Sequence, residues 1–164
     1  MSRLALCAAL AILAAATPAS AGLPRTGVLV PGRSLGGVHL GETSAEVGAA
    51  LGRAHGVCRG CAVPTWYFTY KPYDAHGLAV ELTDGRVSAV YTLWEPAGWN
   101  GPRGLVLGAD EAQVTSVAGP LLPVTCTGYT ALVRDSPHAR TVYYISAGQL
   151  WAFGLLQRHA DPCR

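Results

Sequence analysis

The apolar positions of this chain keep two different periods and switch between them twice, in the same order. Residues 37–52 read GVHLGETSAEVGAALG, where Val47, Ala50 and Leu51 recur at helical spacing as one apolar stripe. Thr43-Ser44-Ala45-Glu46 opens the stripe as a capping box. The hydroxyl at the N-cap accepts from the third helical N–H, and the glutamate reaches back. Gly52 ends the helix. Residues 104–119, GLVLGADEAQVTSVAG, repeat the pattern 67 positions later (104 − 37), with Asp110-Glu111-Ala112-Gln113 as the box and Gly119 as the stop. Without a gap, Gly37, Leu40, Gly41, Ala45, Val47 and Gly52 match Gly104, Leu107, Gly108, Ala112, Val114 and Gly119, six of sixteen positions. Two short amphipathic helices are predicted in corresponding places.

After each helix the period falls to two. Strands are predicted over residues 65–71, 78–83 and 87–94, and again over 127–134, 140–146 and 149–156. Asp84-Gly85 is a hairpin signal, with Ala147-Gly148 its counterpart at an offset of 63 (147 − 84). The expected class is therefore α+β: two tandem repeats, each a short helix and a three-stranded antiparallel meander, joined into one curved sheet. Alternation then assigns faces. Leu78, Val80 and Leu82 point to the helices, since Glu81 cannot. By the same parity Val87, Ala89, Tyr91 and Leu93 go inward, and Ser88, Val90, Thr92 and Trp94 outward. Carried across the offset, Tyr144, Trp151 and Phe153 also point outward. Together with Tyr67, Lys71 and Glu81, these aromatics make the open sheet face the candidate binding surface.

The doubled helix start, G-x-x-L-G-x-[TD]-x-A-[EQ]-V, followed each time by a meander, resembles the β-lactamase inhibitory protein family. It is also similar to SmpA/OmlA-type outer-membrane lipoprotein modules. The resemblance spans about residues 34–157. It implies two tandem units in one curved antiparallel sheet, helices on the convex side, and a concave side free to grip another protein.

Composition bounds the class. Met1–Arg3, the apolar run 4–16 and Ala19-Ser20-Ala21 have the order of a secretory signal, with cleavage expected after Ala21. That run of 13 (16 − 4 + 1) is shorter than the roughly 20 residues of a membrane span. The remaining chain is organised as an extension (22–33), repeat one (34–94), a linker EPAGWNGPR (95–103), repeat two (104–157) and a tail (158–164). Without Arg3 it has 11 basic residues (12 − 1) against 10 acidic ones. No basic run points to nucleic acid or an anionic membrane.

Of five cysteines, Cys7 leaves with the signal, and Cys58, Cys61, Cys126 and Cys163 remain. An even number in an exported chain favours disulfides, and four cysteines allow three pairings. In the segment AHGVCRGCAVP, no helix is predicted after the C-x-x-C to activate a thiol. His55 has zinc-ligand spacing to both cysteines, but no second close pair accompanies it. Structural staples are therefore expected, Cys58–Cys61 at about 2 kcal/mol and Cys126–Cys163 at about 4 kcal/mol by loop entropy. Gly32-Arg33-Ser34-Leu35-Gly36 fits a hydrolase elbow in letters, but Gly37 to Gly41 cannot start the helix that elbow needs. The five histidines make no metal motif. The sequence thus predicts a secreted, non-enzymatic, monomeric binding module without cofactor or metal, its partner an extracellular protein or envelope component. The alternative is an extracytoplasmic thiol–disulfide protein using Cys58 and Cys61.

Overall fold

The computed structural model describes residues 22–164; the leader expected over residues 1–21 lies outside the described residues. In chain order the elements are β1 (Gly27–Val30), β2 (Ser34–Leu35), β3 (Val38–His39), α1 (Ser44–Leu51), β4 (Gly56–Val57), β5 (Thr65–Thr69), β6 (Gly77–Thr83), β7 (Arg86–Leu93) and β8 (Trp99–Asn100). A single 3-10 turn and α2 (Glu111–Ala118) follow, then β9 (Leu122–Cys126), β10 (Tyr129–Asp135), β11 (Ala139–Ser146) and β12 (Gln149–Gln157). Eight strands form one sheet in the order β4-β5-β6-β7-β12-β11-β10-β9, and β3-β2-β1-β8 form a small second sheet.

Local chemistry explains the boundaries. Thr43 accepts from the Glu46 N–H and the Glu46 carboxylate returns to the Thr43 N–H at 2.7 Å, closing the first capping box. Asp110 caps α2 by accepting from the Gln113 N–H at 2.7 Å. The β6–β7 and β11–β12 hairpins turn at Asp84-Gly85 and Ala147-Gly148, four residues with positive φ, as turns matched to strand twist require.

The α+β class and the paired three-stranded units expected from the sequence are not what forms. The protein is mostly β, built on two sheets. Both helices have only eight residues and make no layer of their own. Segments read as an extension and a linker supply β1 and β8, which pair in parallel, Gly27 with Trp99. Strands β4 and β9 extend the large sheet beyond the expected meanders. The small sheet is organised around Trp99, which is buried and donates through Nε1 to the Tyr70 hydroxyl at 2.7 Å. A Cβ on Gly27 or Gly36 would lie 2.3 or 2.5 Å from that ring, so glycine is required at both places.

One face of the large sheet packs on the helices and the small sheet. Val47, Leu51, Val114 and Ala118 of the helices meet Leu29, Leu35 and Trp99, and sheet residues Leu78, Val80, Val90, Tyr143 and Phe153. The opposite face carries a smaller cluster of Ala89, Ala131, Val133, Val142, Tyr144, Ala152 and Leu156. Two bulges explain why simple alternation fails. In β6–β7 the register passes from Leu82↔Val87 to Glu81↔Ala89, skipping Ser88. In β11–β12 it passes from Ile145↔Leu150 to Tyr144↔Ala152, skipping Trp151. An extra residue inverts the parity of everything beyond it. Val90 therefore packs with the helices, while Ala89 and Tyr91 face the other way, the reverse of the alternation reading.

The two halves of the sheet meet only where β7 pairs with β12, over Gly154↔Tyr91, Leu155↔Val90 and Leu156↔Ala89. Buried Thr92 prolongs that seam with its side chain: Oγ1 accepts from the Phe153 N–H at 3.0 Å and donates to the Phe153 carbonyl at 3.4 Å. Thr92→Val keeps the shape and orphans both groups, each costing about 1–3 kcal/mol. We expect Thr92→Val to lower unfolding stability by on the order of 2–4 kcal/mol in denaturant titration. Thr92→Ser should lose far less, and equal losses in the two variants would show the hydroxyl to be unimportant.

Candidate functional site

The face opposite the helices is not open along its length. The tail folds back over it, fixed by the Cys126–Cys163 disulfide. Arg164 Nε lies 2.8 Å from Glu81 Oε1, and Tyr91 donates to the same oxygen at 3.3 Å. The Tyr129 hydroxyl is bonded to both the backbone N–H and the carbonyl of Arg164. Arg140, paired with Asp135, donates to the Ala160 carbonyl at 2.9 Å and holds the tail's start. These contacts bury Glu81 and Tyr144, which the sequence reading had placed on an open surface.

Beyond the edge of the tail the face stays accessible as a groove of about 630 Å³. Trp94, Trp151 and Tyr129 form its aromatic wall, and His76, Glu95, Ser146 and Gln149 its polar rim. The ring centroids of Trp94 and Trp151 are 5.8 Å apart with planes tilted by 41°. Tyr129 meets Trp151 edge-on at 5.7 Å, and Tyr144 backs Trp151 at 5.6 Å. Trp94 is 62% exposed, unusual for the largest apolar side chain.

Two irregularities create this wall. The bulge in β12 puts Trp151 and Ala152 on the same face in succession, so Trp151 stands beside Tyr144. At the end of β7 the backbone then enters the left-handed region at two consecutive residues, Trp94 (φ 49°) and Glu95 (φ 53°). Neither is a glycine, and such a conformation costs of order 1 kcal/mol or more per residue. The Glu95 N–H donates to the Trp151 carbonyl at 3.3 Å and holds the kink against β12.

The predicted site residues thus separate. Trp94 and Trp151 line the groove together. Tyr144 is buried behind them and Glu81 beneath the tail. Phe153 is fully buried on the helix face, because the bulge reverses parity between it and Trp151. Tyr67 is half-buried in β5, its hydroxyl 3.7 Å from Cys61 Sγ. Lys71 is exposed and lines an adjoining hollow with Arg25, Asp74, His76 and Glu95. Tyr129, His76 and Gln149 were not anticipated; they stand at turns or strand ends, where alternation gives no direction. Glu95 had been assigned to a linker.

The remaining candidates have plain surroundings. The Cys58–Cys61 disulfide lies in the loop between β4 and β5, with no helix beginning at Cys58. His55 stacks on Trp66 at 4.0 Å, and its Nδ1 lies 3.0 Å from the Arg53 carbonyl oxygen. Ser34, in the letters of a hydrolase elbow, is buried in the two-residue strand β2. Among the described residues no group of three His, Cys, Asp or Glu side chains is placed to hold a metal, and no helix is long and apolar enough to cross a membrane.

In sequence the chain matches no family model and no curated protein. In fold it is similar to an extracellular protein containing a SCP domain from Bacillus anthracis str. Ames, with a TM-score of 0.50 at 11% identity. The match covers 72% of this chain and 44% of that one, so the chain spans less than half the neighbour's length. At that identity the likeness concerns the fold alone.

Burial dominates the acid–base chemistry of the face. It raises the Tyr91 and Tyr144 hydroxyls well above the ordinary phenol range, and it pushes Tyr143 on the other face up to about 12. Glu81 adds to the rise at Tyr91. A raised folded-state value means that the native protein holds these protons longer than the unfolded chain. Stability is thus complete below the unfolded phenol value of about 10 and falls as pH rises through it toward the folded values. Denaturant midpoints should therefore drop between about pH 9 and pH 11, and Tyr144→Phe should lessen the drop. A midpoint independent of alkaline pH would contradict the burial argument. The two faces also differ in their response to truncation. Phe153→Ala should cost about 3–5 kcal/mol of stability, whereas Trp94→Ala should cost under about 1 kcal/mol, by thermal or denaturant melting.

Proposed function

We propose that this chain is an exported, non-enzymatic binding protein whose partner seats in the groove of Trp94, Trp151 and Tyr129. The carrying observation is the pair of left-handed residues at Trp94 and Glu95, which lifts an indole out of the sheet and leaves it 62% exposed. The helix stops use glycine for such backbone, whereas here two consecutive non-glycine residues adopt it, an indole and a carboxylate side by side. Non-glycine strain that presents a large aromatic in a groove is characteristic of binding sites.

Export is supported by the leader-like first residues and by two disulfides, which persist in oxidising compartments. The structural neighbour is itself described as extracellular. A shallow groove with an aromatic wall and a polar rim supports a protein partner over a small metabolite. Contact energy in such surfaces concentrates in a few desolvated aromatics, and Trp94 and Trp151 fit that role.

The test is capture from culture supernatant and envelope extract on immobilised protein, with Trp94→Ala and Trp151→Ala in parallel. A partner retained by the wild type should be lost with Trp94→Ala, at a cost on the order of 2 kcal/mol in affinity. Retention that is indifferent to both tryptophans would move the binding surface elsewhere.

A further inference from the structure

The groove's lining is aromatic with one carboxylate, although the chain as a whole is slightly basic. Glu95 stands at its rim, and neither lysine nor arginine lines it. His76, also in the lining, is held by Asp74 at 2.8 Å, which adds a second carboxylate nearby. Arg25 and Lys71 lie across the adjoining hollow, yet among the described residues no cation comes within ion-pair distance of Glu95. An aromatic wall beside an unpaired carboxylate is an environment suited to an organic cation.

The same sheet face already accommodates one. Arg164 from the chain's own tail lies against Glu81, with Tyr91 on the same carboxylate oxygen and Tyr129 on its backbone. Tyr129 is shared: its hydroxyl belongs to the tail's seat, and its ring edge meets Trp151 in the groove. The covered half of the face therefore pairs an arginine with a carboxylate beside tyrosines that bond the carboxylate and the arginine backbone, and the uncovered half presents another carboxylate, Glu95, beside two indoles.

Resting on the binding reading above, we propose that the groove accepts an arginine side chain presented by a partner protein. Its guanidinium would lie on the Trp94 and Trp151 faces and its N–H groups would engage the Glu95 carboxylate. Arginine suits the site better than lysine, because its plane stacks on indole rings while its edge donates in pairs to a carboxylate. No bond is made or broken.

The probe is N-acetyl-arginine amide, titrated into the isotope-labelled, disulfide-intact protein, with the neutral isostere N-acetyl-citrulline amide alongside. The four tryptophans give four indole N–H signals. Those of Trp94 and Trp151 should shift saturably with arginine, while buried Trp99 serves as an unmoved internal control. Citrulline on the wild type, and arginine on Glu95→Gln, should each bind about tenfold more weakly, the scale of one charge-assisted contact on an aromatic face. Absence of saturation, or equal shifts with citrulline, overturns the inference, as does an undiminished response in Glu95→Gln. Partner capture separates the two readings. Loss in Trp94→Ala with full retention in Glu95→Gln preserves the groove as a binding site and refutes the arginine. Saturable arginine shifts with capture unaffected by Trp94→Ala preserve the cation site and refute the groove as the partner's seat.

Discussion

The architecture depends on a short seam. Seven strand pairings build the large sheet, and β7–β12 is the one that joins its two halves, over three registered residue pairs. Gly154 permits that approach, since a Cβ there would lie 2.6 Å from Cβ of Tyr91. Thr92 then takes over where backbone pairing stops, its hydroxyl serving Phe153 in both directions. The buried clusters on either face cross this seam, Val90 with Phe153 and Leu155 on one side and Ala89 with Ala152 and Leu156 on the other. The position of Trp151 relative to Trp94, and hence the groove, is set by the same line of contact.

How much of this the sequence revealed follows from the range of each signal. Capping at Thr43 and Asp110 and turning at Asp84-Gly85 are decided within four residues, and such features were legible. Strand cores were legible for the same reason. Face assignment is a longer argument, because it propagates parity along a strand, and one skipped residue invalidates the remainder. Ser88 and Trp151 are those residues, and nothing in their neighbours' composition marks them. Trp94 came out on the expected side through two cancelling departures, a bulge that reversed it and a left-handed kink that restored it. Phe153 had no second departure and fell into the core.

The fold class was misread where segments looked structureless. GVLV and the WN of the linker are too short to show a period; WN becomes a strand by pairing with GVLV around Trp99, and GVLV by pairing with both WN and Ser34-Leu35. Contacts between distant short segments are the part of a fold that local patterning cannot reveal. The tail shows the same limit. Its cover over Tyr144 depends on Arg164 finding Glu81, residues 83 positions apart (164 − 81) whose pairing no spacing rule connects.

The left-handed pair at Trp94 and Glu95 carries a consequence for directed evolution. Glycine at position 95 would relieve backbone strain of order 1 kcal/mol, so a library ranked only by thermal tolerance would enrich it. That enrichment would delete the carboxylate and loosen the indole beside it without any visible defect in expression or solubility. Heat-selected descendants of this chain would thus become sturdier as they lost the groove's one carboxylate. Glycine at position 95 would then mark a lineage selected for heat tolerance alone.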